Sequence, residues 1–236
     1  MYKETRFIQA SEIGYNHKIR ITDLVNIIQD VEGAHIESLS ALSKSAKNEN
    51  FAIILNFRYL RIRKWPKYKD MLEVTTYPYE TKPFYGYRNT IIHDLLGNLI
   101  AESYCLGSFV NLEHMSPHRI SDYVLKSIGA YEKYPMDYIG RKIDLNQDKK
   151  LISETSIIVQ PSHLDYYQHL NNAFYVEFAS NQLPMDFDYQ TLVCEYKKAF
   201  QLFEKIHLKT YKTQNGYLVE FIGSEDCIHT AIEFLE

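Results

Sequence analysis

The sequence predicts an α+β fold made of two tandem units, in each of which an antiparallel sheet wraps around one helix. Three observations lead to this class. An amphipathic helix lies near the start of the 236-residue chain, a run of alternating strands follows it, and the same order returns after residue 150. Strands and helices do not alternate as a parallel sheet would require. Because each unit leaves one sheet edge open, we expect the two sheets to pair into one continuous sheet.

The first unit is expected to span residues 1–135. Its helix should run from Thr22, a suitable N-cap residue, to about Leu39, because apolar side chains recur there at helical spacing. Apolar and polar residues then alternate, as in half-buried strands, over 51–62, 72–76, 85–93 and 99–110. A turn at 94–98 separates the last two strands, and a short helix over 120–128 closes the unit.

Residues 136–150 are polar and predict a linker, after which residues 151–236 repeat the pattern of the first unit. A helix is expected over 171–183, ending before Pro184. Strands are expected over 153–159, 191–200, 205–212, 217–223 and 227–234. The approaches to the two helices, Tyr15-Asn16-His17 and Tyr167-Gln168-His169, are similar, and this supports a duplicated unit.

Composition argues against several functional classes. The net charge of −4 argues against nucleic-acid binding, and no segment approaches the ~18 apolar residues of a membrane span. The N-terminal residues have no apolar signal core, so a soluble, cytoplasmic protein is expected. Three widely spaced cysteines predict neither a disulfide framework nor a structural zinc site, and we expect no metal or other cofactor.

The segment from Ser162 to Asn172 is the richest in reactive side chains, with one carboxylate, two histidines and two asparagines where a helix should begin. Backbone N–H groups at a helix start can stabilise an oxyanion, and an imidazole can activate water. The same residues also fit structural roles, with Asp165 and Asn171 as turn and cap residues and His169 as a core histidine. Chemistry alone leaves both interpretations open.

The motif Asp165-x-Tyr167-x-His169-x-Asn171-Asn172 resembles the Asp-x-Asn-x-His-x-Asn-Asn signature of acyl-acyl-carrier-protein thioesterases, the plant FatA/FatB type and its bacterial relatives. The resemblance covers nearly the whole chain. It includes a basic-aromatic-Pro stretch, the end of the first unit and a Glu-Tyr-basic-basic strand, at residues 63–70, 107–112 and 193–198. It implies a tandem hotdog fold and hydrolysis of acyl-acyl-carrier-protein to free fatty acid.

The resemblance also implies roles for the motif residues. His169 would activate water with Asp165 orienting it, the amides near Asn171 and Asn172 would hold the carbonyl oxygen, and Tyr167 would donate a hydrogen bond in place of the family's Asn. Where the family strand continues with Glu-Cys, this chain has Ala199 and Phe200.

These departures leave three interpretations open. The protein is a carrier-protein thioesterase with a reduced Asp165/His169 set, an acyl-CoA thioesterase with the same site, or a relative that binds acyl chains or carrier protein without turnover.

A basic cluster stands out in this acidic chain and comprises Arg58, Arg61, Arg63, Lys64, Lys67 and Lys69. Arg61, Arg63, Lys64 and Lys67 are candidates for docking the acidic acyl carrier protein by charge complementarity. The alternative is that the cluster only protects a sheet edge. The sequence does not decide the oligomeric state, and a homodimer is one option.

Overall fold

The computed structural model describes the backbone of residues 1–236 and every side chain except that of residue 225. The chain forms two compact units. The first comprises Met1–Arg20 and Leu24–Ile139, and the second comprises Ile21–Asp23 and Gly140–Glu236. Strand β7 of the second unit begins at Lys149, inside the stretch that the sequence predicts as a linker.

The first unit has an antiparallel sheet in the order β1-β3-β4-β5-β2, with the short β6 paired to β5. Its elements are β1 (Tyr2–Phe7), α1 (Ile21–Ser38), α2 (Ser40–Glu49), β2 (Phe51–Ile62), β3 (Met71–Lys82), β4 (Tyr85–Asp94), β5 (Leu99–Asn111), β6 (Ser116–Pro117) and α3 (Asp122–Ile128). The apolar stripe of α1 is buried, with Leu24, Ile28 and Val31 all fully inaccessible. Burial of each such side chain contributes about 1.5–3 kcal/mol.

The second unit has an antiparallel sheet in the order β8-β11-β10-β9-β7. Its elements are β7 (Lys149–Ile158), α4 (Asn172–Ser180), β8 (Thr191–Tyr196), β9 (Lys205–Thr213), β10 (Gly216–Ile222) and β11 (Ile228–Leu235). The first residue of β10 must be glycine, because a Cβ at Gly216 would lie 1.8 Å from the carbonyl oxygen of Phe234 in the neighbouring strand β11.

The α+β class and the tandem hotdog arrangement are confirmed. Three predicted boundaries are wrong. The N-cap of α1 is Arg20 rather than Thr22, α4 ends at Ser180 rather than at residue 183, and β8 ends at Tyr196 rather than continuing to residue 200. The sequence pattern does not predict β1, α2 and β6. Strand β8 ends early because the N–H groups of Lys197 and Lys198 both donate to the carbonyl oxygen of His229, so the chain leaves the sheet there.

Candidate active site

A tight turn directly precedes α4 and contains most of the motif residues. The N–H of Asp165 donates to the carbonyl of His169 at 2.8 Å, and the N–H of Gln168 donates to the carbonyl of Asp165 at 2.9 Å. Gln168 has a left-handed backbone with φ of 66°, and Leu164 and Leu170 form a bridge across the base of the turn. The turn is therefore closed by backbone hydrogen bonds on both sides.

The carboxylate of Asp165 binds backbone. Its Oδ1 accepts hydrogen bonds from the N–H groups of Tyr167 at 2.9 Å and His169 at 3.1 Å. These contacts correspond to the turn role that the sequence also allowed. In this geometry the carboxylate acts on the backbone of residue 169 rather than on its imidazole.

The backbone around His169 is fixed from several directions, while its side chain is half-buried. Besides the two bonds to Asp165, the next residue, Leu170, donates its N–H to the carbonyl of Phe200 at 3.1 Å. The neighbouring Tyr167 is 40% exposed, and its ring centroid lies 4.2 Å from that of Tyr166. Tyr167 therefore lies at the surface and does not fill an interior slot.

The start of α4 offers one unused donor. Asn171 is the N-cap, and its side-chain oxygen accepts from the N–H of Ala173 at 2.9 Å. Asn171 donates its own N–H to His163, and Phe174 donates to the carbonyl of Asn171. Among the amides of residues 171–174, all of which the structure describes, that of Asn172 has no acceptor in the protein. This N–H is available to an oxyanion at the positive end of the helix dipole.

The loop after β8 contacts the turn through the hydrogen bond from Leu170 to Phe200. Phe200 is fully buried, and its N–H donates to the hydroxyl of Tyr175 at 3.0 Å. The ring of His229 stacks on Phe200 at 4.5 Å and is 1% exposed, with neither ring nitrogen hydrogen-bonded. Burial lowers the pKa of His229, and the nearby Lys198 lowers it further. The stacked rings of Phe200 and His229 therefore hold the Phe200 carbonyl, which accepts the hydrogen bond from Leu170.

The first unit contains a copy of the turn that precedes α4. The N–H of Gly14 donates to Lys18 at 2.9 Å, that of His17 donates to Gly14 at 3.1 Å, and His17 has φ of 61°. These features match the turn from 165 to 169 residue by residue. Lys18 is therefore the counterpart of His169, and Tyr15-Asn16-His17 corresponds to residues 166–168. The predicted match with residues 167–169 is off by one position.

The supporting loop is duplicated as well. Ile19 donates its N–H to Pro66 at 2.8 Å, as Leu170 does to Phe200, which makes Trp65 the counterpart of Ala199. In the first unit the Nζ of Lys18 lies 5.8 Å from the ring centroid of Trp65. The matching positions in the second unit are residues 169 and 199.

The residues of the predicted basic cluster differ in burial and in partners. The prediction is wrong for Arg58, which is 1% exposed and forms a buried bidentate ion pair with Glu32 at 2.6 and 3.1 Å. Arg61 binds Asp137 at 2.9 Å, and Arg63 binds Glu102. Lys64, Lys67 and Lys69 are exposed.

Two further features bear on chemistry. Cys105 and Cys194 are buried, and burial together with the Glu32 carboxylate raises the pKa of the Cys105 thiol to about 12, so no thiolate nucleophile forms there. Across the side chains that the structure describes, no three His, Cys, Asp or Glu residues group as metal ligands, and no described helix is long and apolar enough to cross a membrane.

Comparison with known proteins identifies relatives of the whole fold. The family model described as the acyl-ACP thioesterase N-terminal domain matches residues 1–128, nearly all of which lie in the first unit. An oleoyl-acyl carrier protein thioesterase from Arabidopsis thaliana is 20% identical over 248 residues, covering 94% of this chain and 66% of the relative. The chain thus spans just under two thirds of that relative's length.

Solved structures show the same fold at low identity. An acyl-ACP thioesterase from Bacteroides thetaiotaomicron has a TM-score of 0.86 at 15% identity, with 99% of this chain and 96% of that chain covered. A 12:0-ACP thioesterase from Umbellularia californica has a TM-score of 0.83 at 14% identity, with the same coverage of 99% and 96%. The similarity extends over both units.

Proposed function

Because the chain belongs to the acyl-ACP thioesterase family, we propose that it hydrolyses the thioester between a fatty acyl chain and acyl carrier protein and releases free fatty acid. One observation carries the proposal. The turn closed by Asp165 presents His169 three residues before the unused N–H of Asn172 at the start of α4. A general base and an oxyanion donor are the two groups that thioester hydrolysis by water requires.

The proposed mechanism uses one water molecule and no covalent enzyme intermediate. The imidazole of His169 takes a proton from water as the oxygen attacks the acyl carbon. The N–H of Asn172 donates to the oxyanion of the tetrahedral intermediate, which the helix dipole also stabilises. When the carbon–sulfur bond breaks, the imidazolium returns the proton to the leaving thiolate.

The other motif residues have positioning roles in this proposal. Asp165 holds the backbone of His169 through its two accepted hydrogen bonds, and Asn171 caps the helix whose first free amide binds the oxyanion. In this proposal the exposed phenol of Tyr167 donates a hydrogen bond to bound substrate. None of these roles requires Asp165 to contact the imidazole.

A second candidate is a relative that binds acyl chains with little or no turnover. Ala199 favours this candidate because it provides no carboxylate beside the imidazole. In the first unit, the matching residue Trp65 contacts Lys18, which matches His169. The two candidates differ in chemistry and not in fold, so kinetics separates them.

The test compares three thioesters of the same acyl chain, on carrier protein, on CoA and on pantetheine, by release of free thiol. The proposal predicts turnover with all three and the highest kcat/KM with the carrier-protein substrate. Highest kcat/KM with CoA would favour an acyl-CoA thioesterase. Binding of acyl carrier protein with no thiol release would favour the non-catalytic relative.

A further inference from the structure

A four-residue loop occurs once in each unit with the same backbone. Residues 67–70 precede β3, and residues 201–204 precede β9. In both copies the third residue has a left-handed backbone, with φ of 70° at Lys69 and 63° at Phe203, and donates its N–H to the residue that follows the edge strand of its unit. The fourth residue, an acid in both copies, accepts from the N–H of the first at 2.9 Å. The side chains differ, with Lys-Tyr-Lys-Asp in the first unit and Gln-Leu-Phe-Glu in the second.

The second copy exposes large apolar side chains. Leu202 is 40% exposed and Phe203 is 66% exposed. Ile158, which is 51% exposed, ends β7 directly before the residue that accepts from the N–H of Phe203. We call the surface formed by Ile158, Leu202 and Phe203 the apolar patch. A left-handed backbone is unfavourable for a bulky residue, and an exposed ring gains little from packing, so folding does not account for Phe203.

The apolar patch is joined to the turn before α4. Its loop follows Phe200, whose carbonyl accepts from the N–H of Leu170 at 3.1 Å. At that turn Tyr166 is 84% exposed and Tyr167 is 40% exposed. Tyrosine combines an apolar ring with a polar hydroxyl and is enriched where a membrane meets water. Exposed aromatic side chains therefore lie on two neighbouring turns.

Three lysines flank the apolar patch. Lys197 and Lys198 precede its loop, and Lys205 follows the loop and pairs with Ile158 across the sheet. All three are exposed. Lys197 lies 3.7 Å from Glu195, whereas neither Lys198 nor Lys205 forms an ion pair with a side chain that the structure describes.

The carboxylates in the same segments are held by the protein. Glu195 is 7% exposed, and the half-buried Glu204 accepts from the backbone N–H of Gln201 at 2.9 Å. Asp165 is half-buried and binds the backbone of its own turn. The ammonium groups therefore extend further into solvent than the carboxylates do, and the outward charge beside the apolar patch is positive.

We propose that the apolar patch binds an anionic lipid surface, with Leu202 and Phe203 in the headgroup region and the flanking lysines on lipid phosphates. Exposed apolar patches mark interaction sites, and burial of apolar side chains together with attraction between lysines and anionic lipids is the physical basis of interfacial binding. The inference goes beyond the proposed function and does not depend on turnover. It agrees with that function because free fatty acid, the proposed product, is a membrane-soluble amphiphile.

The first experiment replaces the apolar side chains, with Leu202→Asn and Phe203→Asn together, and compares this patch variant with Leu95→Asn plus Leu96→Asn. Asn tolerates the left-handed backbone at residue 203. The control residues are 63% and 89% exposed on the turn between β4 and β5. Binding is measured by co-sedimentation with vesicles of equal parts phosphatidylglycerol and phosphatidylcholine. We expect the control to bind as the wild type does and the patch variant to bind about tenfold more weakly, with unchanged circular dichroism spectra.

The second experiment tests the contribution of charge. Lys198→Gln with Lys205→Gln should weaken binding to the same vesicles about tenfold, because each lysine near an anionic surface adds attraction. Lys44→Gln with Lys47→Gln changes two exposed lysines of α2 and should bind as the wild type does. On vesicles of phosphatidylcholine alone, the wild type should bind more weakly and the two lysine variants should not differ from it.

Equal vesicle binding by the patch variant and its control, or no binding by the wild type, would overturn the proposal. If the double patch variant does not fold, Phe203→Asn alone decides the question, with about threefold weaker binding expected. Self-association or carrier-protein binding that the patch variant loses, without vesicle binding by the wild type, would also overturn it. Absence of thiol release by the wild type would count against the proposed function and not against lipid binding.

Discussion

At the scale of single residues, Asp165 holds His169 through one oxygen atom. Its Oδ1 accepts from the N–H groups of Tyr167 and His169, and its own N–H donates to the carbonyl of His169. Hydrogen bonds to a carboxylate are stronger than those to a neutral acceptor, but an amide oxygen has the same shape and can accept the same donors. The structural role of Asp165 therefore depends on an acceptor atom more than on charge.

This geometry predicts different results for two substitutions at residue 165. Asp165→Asn keeps an oxygen at the Oδ1 position, so kcat should stay within about fivefold of wild type. Asp165→Ala leaves both N–H groups without an acceptor, and kcat should fall about tenfold or more as the turn loosens. Steady-state kinetics with acyl-pantetheine measures both. Equal, large losses in the two variants would show that the charge of Asp165 acts on the imidazole.

At the scale of elements, the loop from Lys197 to Phe200 decides what lies beside His169. The loop begins where two successive N–H groups donate to one carbonyl, that of His229. Its counterpart in the first unit brings Trp65 against Lys18. A side chain added at residue 199 should therefore reach the imidazole.

Substitution at residue 199 tests this placement. A carboxylate in Ala199→Glu should stabilise the imidazolium form of His169 by charge attraction. Because catalysis needs the neutral imidazole, the acidic limb of the pH profile of kcat should move to higher pH. Ala199→Gln adds a side chain of the same shape without charge and should leave that limb unchanged. Identical profiles for the two variants would contradict the assigned position of residue 199.

The elements differ in how well their sequences predict them. Strands β2, β4 and β5 are predicted to within one residue because each is a run of aromatic, β-branched and other apolar residues bounded by turn signals. Helix α2 is not predicted, because its sequence is mostly polar and gives no apolar stripe. It buries only Leu42 and Ser45. The end of β8 depends on a carbonyl from β11, which is distant in sequence. The residue pairing of the duplicated turns depends on left-handed residues His17 and Gln168, which are not glycine and carry no obvious sequence mark.

At the scale of the whole molecule, each unit contains a buried histidine that is neutral in the folded state. In the first unit, burial and the adjacent Arg88 lower the pKa of His35 to about 4, and Arg88 contacts its Nδ1 at 2.9 Å. In the second unit, burial and then Lys198 lower the pKa of His229, which Glu204 opposes. Both histidines titrate near 6.5 when unfolded. The stability that they contribute is present above pH 6.5 and is lost as the pH falls below it.

The free energy of unfolding should therefore decline below pH 6.5, by up to about 1.4 kcal/mol per pH unit for each histidine. Urea denaturation at pH 7.5, 6.5 and 5.5 measures this slope. His229→Phe removes one titrating group while keeping an aromatic ring on Phe200, so its slope should be smaller than that of the wild type. An unchanged slope would mean that His229 has the same pKa in the folded and unfolded states.

The two units share one turn but differ in its side chains. In the proposed function the second unit activates water at this turn, whereas the first unit has Lys18 at the position of His169. The sequence motif coincides with the turn before α4, with Asp165, His169 and Asn171 in or beside it. The motif alone does not show that the N–H of Asn172 lacks an acceptor, or that Lys18 occupies the position of His169 in the first unit. Both findings come from the backbone hydrogen bonds of the two turns.

The most direct test of the central claim is a paired substitution, His169→Asn and His17→Asn, assayed with acyl-carrier-protein and acyl-pantetheine thioesters. Both histidines lie in the duplicated turns, but only His169 is assigned to water activation. We expect His169→Asn to lower kcat about 10²-fold or more with both substrates, and His17→Asn to leave kcat within about twofold of wild type. Near-normal turnover by His169→Asn, in a protein that folds as the wild type does, would contradict the account.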